Sequence, residues 1–152
     1  MSRLQTRFED AEESAGLLLW QVTNRWQAAQ RAVLKPFGLT HVQFVLLASL
    51  AWLSSDEPGA QPVSQRVLAD QAATDPMMTS QVVRVLEERG WLTRQPHPED
   101  GRAFALAITD EGVALVQRAN DAVEQCDEEF FGVLGTHTKA FRASLRTLRD
   151  RG

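Results

Sequence analysis

Met77, Ser80, Gln81 and Arg84 recur at i, i+3, i+4 and i+7, the spacing of one helix face. Together they carry a thioether, a hydroxyl, an amide that donates and accepts, and a guanidinium. On an exposed helix such groups can reach base edges in a major groove. Further along, Arg102 lies in QPHPEDGRAFALAI, where prolines, acids and a glycine mark a turn between two apolar strands. An arginine held at a hairpin tip suits a narrow minor groove, where crowded phosphates enhance the negative potential. Catalysis has no comparable set of residues. His41, His97 and His137 lie far apart, and the sequence contains no HExxH, no GxSxG and no phosphate-cradling glycine loop. No catalytic residue, no metal site and no cofactor is expected. The single cysteine, Cys126, cannot form an intrachain disulfide, and the acids Glu124, Asp127, Glu128 and Glu129 around it disfavour a thiolate, so it is read as structural.

The elements that would position these residues follow from periodicity and caps. A first helix is expected over about Thr6–Leu34, with Leu17, Leu18, Trp20, Val22, Trp26, Ala29 and Val33 on its apolar side. Pro36 and Gly38 end it. Thr40 with Gln43 forms a capping box for FVLLASLAWL, apolar enough to be largely buried. After the loop SSDEPGAQP, Pro62 and Val63 can add a short strand, and Ser64 caps a short helix whose Leu68, Ala69 and Ala72 face inward. Asp75 as N-cap, Pro76 at the first helical position and Gly90 after the last turn delimit a second helix with Val82, Val83 and Leu86 inward. Trp91–Gln95 and Arg102–Ile108 then read as the strands of a hairpin, with Phe104, Leu106 and Ile108 on one side. Helix, turn, helix, hairpin is the winged-helix order.

Composition constrains the partners. The 152 residues suit one compact domain, and no apolar run approaches the ~20 residues of a membrane span. The charged start, MSRLQTRFEDAEE, is unlike a secretory signal, so a cytoplasmic protein with no membrane association is expected. Net charge is −4, and between Ser64 and Phe104 five arginines and no lysine face six acids. DNA affinity would therefore rest on a few arginine contacts rather than on a basic surface, with modest non-specific binding and steep weakening by salt.

Three segments carry a family resemblance. DGRAFALAITDEG, with Asp100, Arg102, Ile108, Thr109 and Gly112, resembles the wing signature of MarR-type transcriptional regulators. KPFGLTHVQFVLLASL resembles the junction of the first two helices in that family, and VLEERGWLTRQPHPEDGR the passage from recognition helix to wing. The resemblance implies a mainly α fold with a small β-hairpin wing, in one domain over 1–152. Within it, 40–109 would be a winged helix-turn-helix lobe, and 1–35 with 110–152 a helical dimerisation region. It implies a homodimer on a palindromic operator in double-stranded DNA, acting as a repressor and released by a small aromatic or phenolic effector. Recognition helix 75–89 would place Pro76, Met77, Thr79, Ser80, Gln81 and Arg84 in the major groove. Wing 92–108 would offer Arg94 and Arg102 to the DNA, with Asp100 orienting it, while Gln65 and Arg66 would meet phosphate.

For an effector the resemblance points to Trp20, Asn24, Phe37, His41 and Phe44; the alternative is that these are ordinary core, with His41 at the surface. For dimerisation it points to Phe130, Phe131, Phe141, Leu145 and Leu148; the alternative is a last helix folded back on its own core. Met77-Met78 stands where the family often has polar residues. A second reading therefore stays open: a winged-helix protein-interaction module that docks a partner on these methionines and no longer binds DNA. The joint presence of Ser80, Gln81, Arg84 and Arg102 speaks against it.

Overall fold

A computed structural model describes residues 2–151. In chain order the elements are α1 (Ala15–Leu34), α2 (His41–Leu53), β1 (Val63–Ser64), α3 (Gln65–Ala72), α4 (Pro76–Glu88), β2 (Leu92–Pro96), β3 (Phe104–Ile108), α5 (Asp110–Gly132) and α6 (Thr138–Arg149). Among the described residues no single helix is long and apolar enough to cross a membrane.

The predicted caps form. Thr40 Oγ1 accepts from Gln43 N while Gln43 Oε1 accepts from Thr40 N, so both arms of the capping box start α2. Ser64 Oγ accepts from Val67 N to start α3, and Asp75 Oδ2 accepts from Met78 N at 2.9 Å to start α4 behind Pro76. α3 ends at Ala73, whose φ of 51° makes the sharp turn into α4. Past α4, Gly90 takes φ 79° and lets Trp91 N reach back to Leu86 O, closing the helix.

The first helix is shorter than expected. Its N-cap is Ser14, whose hydroxyl accepts from Leu17 N, and Ala11–Glu13 form a separate 3₁₀ turn with Asp10 Oδ1 accepting from Glu12 N. Like charges at Glu9, Asp10, Glu12 and Glu13 oppose one another at helical spacing, while Ser14 offers a ready cap. Much of the expected apolar side of α1 also stays open: Leu17, Leu18, Leu19 and Val22 are exposed, and Trp20 is 68% exposed.

α2 is the core helix. Leu46, Leu47 and Leu50 are fully buried, and α2 packs on α1, α3, α4, α5 and β3. Trp52 is the exception, at 83% exposed. The sheet has the order β1-β3-β2, all antiparallel, with Val63 opposite Leu106 and Leu92 opposite Ile108. Its inward residues Val63, Leu92 and Leu106 join the core formed by Leu68, Val83 and Leu86. Phe104, expected on the same side, is exposed because it lies at the hairpin's outer end.

The hairpin is tied to α5 at its base. Thr109 N donates to Trp91 O, Thr109 Oγ1 donates to Gly90 O at 2.7 Å, and the same hydroxyl accepts from Gly112 N as the α5 cap. A Cβ on Gly112 would collide with the Trp91 carbonyl oxygen and lie 2.9 Å from Ile108 Cγ1, so only glycine fits this crossing. At the other end of α5, Asp127 Oδ1 accepts from Trp26 Nε1 at 2.8 Å and from Gln30 Nε2 at 2.7 Å, pinning α1 to α5.

Candidate nucleic-acid interface

The inward side of α4 is set by Val83 and Leu86, with Thr79 also fully buried. The opposite stripe therefore points outward and consists of Met77, Gln81, Arg84 and Glu88, all exposed. Pro76 is exposed at the start and Ser80 is half-buried on a flank. Thr79 has a different place from the one expected. Its hydroxyl donates to Asp75 O at 2.8 Å and lies 2.7 Å from Thr74 Oγ1, so it fastens the first turn of α4 from inside, at the floor of the space between α3 and α4.

The wing tip is held by short-range polar contacts. Asp100 Oδ1 accepts from Arg102 N at 3.0 Å, and His97 Nδ1 accepts from Glu99 N and Asp100 N at 3.2 and 3.3 Å. Asp100 thus acts on the backbone of Arg102 and leaves the guanidinium exposed. His97 was not anticipated as a wing residue with a role, since its acceptor function depends on the turn being formed.

Arg94 also differs from expectation. Its Nε donates to Glu87 Oε1 at 3.2 Å and its guanidinium lies 5.0 Å from the Phe104 ring centroid, so it braces both wing strands against α4. Arg89 is likewise occupied, donating to Gly38 O and stacking over Trp91. Among the described residues of this lobe, Arg66, Arg84 and Arg102 have no carboxylate partner within salt-bridge distance.

Arg66 on α3 lies between the wing and the start of α4. A cleft of about 390 Å³ between α3 and the wing is lined by Ser64, Gln65, Arg66, His97, Asp100 and Arg102. A second, of about 400 Å³ between α3 and α4, is lined by Gln65, Arg66, Asp70, Thr74 and Pro76. Gln65 and Arg66 border both clefts, so one continuous surface runs from the wing arginine to the start of α4.

The expected effector residues line none of the clefts described. Trp20 is exposed, Asn24 Nδ2 donates to Trp20 O within its own helix, and Phe44 is buried core. Phe37 is half-buried against the core, and His41 lies edge-on to Trp26 at 5.0 Å between centroids. Burial pushes the His41 imidazole below its ordinary value; Asp127 opposes this and Arg31 adds to it. Instead, a cleft of about 540 Å³ between α2 and α5 is lined by Ala48, Trp52, Gln71, Val116, Asn120 and Glu124, and none of the five borders it. No periodic signal marks these residues, because their meeting depends on how α5 crosses α2.

Phe130, Phe131 and Phe141 stack in sequence, with centroids 5.0 and 5.9 Å apart, and Phe131 also meets Trp26. No residue of α6 is buried, and Leu145 and Leu148 are exposed. Burial raises the Cys126 thiol, helped by the carboxylates of Asp127 and Glu129, which keeps it protonated.

Comparison with known proteins places this architecture. The sequence model of the MarR family matches residues 39–104. The uncharacterized HTH-type transcriptional regulator YdcH of Bacillus subtilis (strain 168) is 40% identical over 126 residues, covering 83% of this chain and 84% of its own. The HTH-type transcriptional repressor Rv2887 of Mycobacterium tuberculosis (strain ATCC 25618 / H37Rv) is 34% identical over 112 residues, 74% of this chain and 76% of its own. Bordetella bronchiseptica BpsR, whose DNA binding is regulated by 6-hydroxynicotinic acid, superposes with a TM-score of 0.83 at 26% identity, over 95% of this chain and 99% of that one.

Proposed function

The chain belongs to the MarR family of transcriptional regulators, and from that footing we propose that it is a ligand-responsive repressor binding a palindromic operator as a homodimer. Members of this family regulate transcription and are not enzymes. Each lobe, 40–109, inserts α4 into a major groove and Arg102 into the adjoining minor groove, with Gln65 and Arg66 on phosphate between them. It works on DNA in the cytoplasm. The observation that carries the reading is the continuous surface on which Arg66 links the wing cleft to the start of α4.

Segments 1–35 and 110–152 form the dimer region. The support is apolar surface that a single chain leaves in water: Leu17, Leu18, Leu19 and Trp20 on α1, and Leu145 and Leu148 on α6. A small aromatic effector would bind the α2–α5 cleft, where Trp52 supplies a flat apolar wall and Gln71 and Asn120 supply amides.

Fluorescence anisotropy on duplexes tiled along the chain's own upstream DNA, with a random duplex as control, tests the reading. Tight binding to one palindromic segment, lost in Arg102→Ala, is expected. Equal affinity for operator and random duplexes at moderate salt would overturn it in favour of a protein-docking module. Light scattering at micromolar concentration should give twice the chain mass, and a monomer would remove the two-lobed arrangement.

A further inference from the structure

Met77 is 71% exposed at the N-terminal end of a stripe whose other members carry hydrogen-bonding heads. Its position is fixed rather than accidental: Asp75 caps the turn, Pro76 sets the first helical dihedral, and buried Thr79 locks the helix rotation two residues on. Met78, a residue further round the helix, is partly shielded at 46% exposed. One apolar group is thus presented outward beside the amide of Gln81 and the guanidinium of Arg84.

A thioether is at best a weak acceptor and donates nothing. Laid against the polar edge of a guanine, adenine or cytosine it would strip water from donors and acceptors without replacing the hydrogen bonds. The one apolar group that the four ordinary bases show in the major groove is the C5-methyl of thymine. Gln81 has the amide that pairs with adenine N6 and N7, and Arg84 the fork that pairs with guanine O6 and N7. At about 1.5 Å rise per residue, Met77 to Arg84 spans roughly 10 Å, or about three base-pair steps.

We propose that this stripe is a base-reading code: Met77 selects a thymine by its C5-methyl, within about three base-pair steps of a guanine read by Arg84, with an adenine read by Gln81 between them. The proposal rests on the DNA-binding reading above and adds to it the identity of the bases. It also gives the exposed methionine a positive task.

The test begins with selection of duplexes from a random library by the full-length protein. In the tightest duplex, each half-site thymine is then replaced singly by deoxyuridine, which differs only in lacking the methyl. One replacement per half-site should weaken binding about fourfold, the worth of one buried methyl group, while the others change it little. Met77→Ala should lose a similar factor or more and become indifferent to deoxyuridine at that one position. Arg84→Ala should relax the preference for guanine when selection is repeated. Enrichment of a defined operator in which no deoxyuridine matters, or in which Met77→Ala stays as sensitive as the unsubstituted protein, overturns the code and leaves DNA binding intact. Failure to enrich any duplex would overturn both.

Discussion

Salt titration gives the sharpest quantitative check on how this surface holds DNA. Five arginines lie between Ser64 and Phe104, yet Arg94 is paired with Glu87 and Arg89 is spent on Gly38 O and Trp91. On the proposed reading Arg66, Arg84 and Arg102 are left to bring unpaired positive charge to the DNA in each lobe, where each displaces counterions whether it meets a phosphate or a groove, and a dimer would double them. At about 0.9 counterions released per neutralised phosphate, the slope of log K against log salt should be about −5. Raising salt from about 50 to about 200 mM would then cost on the order of a thousand-fold in affinity. Arg102→Ala removes one contact per lobe, so the slope should flatten to about −3.6 and the same salt step should cost roughly 150-fold. Anisotropy on a fixed operator at five or six salt concentrations measures both slopes. Met77→Ala, which removes no charge, should weaken binding without changing the slope. A slope near −10 would mean that basic residues outside the three are engaged. A slope unchanged by Arg102→Ala would refute the placement of the wing.

Arg94→Ala should weaken operator binding a few-fold with the salt slope unaltered, as expected of a residue that braces the wing; a flatter slope in that variant would return Arg94 to the phosphate contacts. Gly112→Ala should destabilise the fold by about 3 kcal/mol, the upper end for overpacking, because the collision is with the Trp91 backbone. Urea denaturation reads this directly, and an unshifted midpoint would disprove the tight crossing. Burial holds His41 below its ordinary value of 6.5. The unfolded chain therefore binds that proton more readily than the folded one, so stability drops as pH falls below about 6.5. His41→Gln should lose less Tm between about pH 7 and 5 than the unsubstituted protein; an equal or larger loss contradicts the burial argument.

Where the governing chemistry acts within a few residues, the sequence was readable. Thr40 with Gln43, Asp75 with Pro76, and Gly90 mark helix ends by bonds and dihedrals that span four positions or fewer, and each boundary stands where expected. The same holds for the order of α3, α4 and hairpin, and for the outward placement of Met77, Gln81 and Arg84. The helix starts after Thr6 because like charges at Glu9, Asp10, Glu12 and Glu13 oppose one another at helical spacing and Ser14 offers the better cap. Arg94 and Thr79 were misplaced because their partners are chosen by tertiary approach: Glu87 reaches Arg94 only when β2 folds back along α4, and Thr74 meets Thr79 only across the interhelical turn. The α2–α5 cleft was invisible for the same reason. Gln30 and Asp127, nearly a hundred positions apart, meet only because α1 and α5 run side by side.

The junction of Trp91, Thr109 and Gly112 ties the base of the wing to the start of α5. α5 has 23 residues, a rod of about 34 Å. Its far end is clamped to α1 through Asp127, and its middle lines the cleft that Trp52 walls. Pivoted at that clamp, about 26 Å from the wing end, a tilt of about 5° would carry the wing end some 2 Å, more than half the spacing of one base pair on the DNA axis. A molecule wedged between α2 and α5 would therefore act on the lever's middle with mechanical gain. A shift of about an ångström beside Asn120 would move the wing end about twice as far, and with it the groove contact proposed for Arg102.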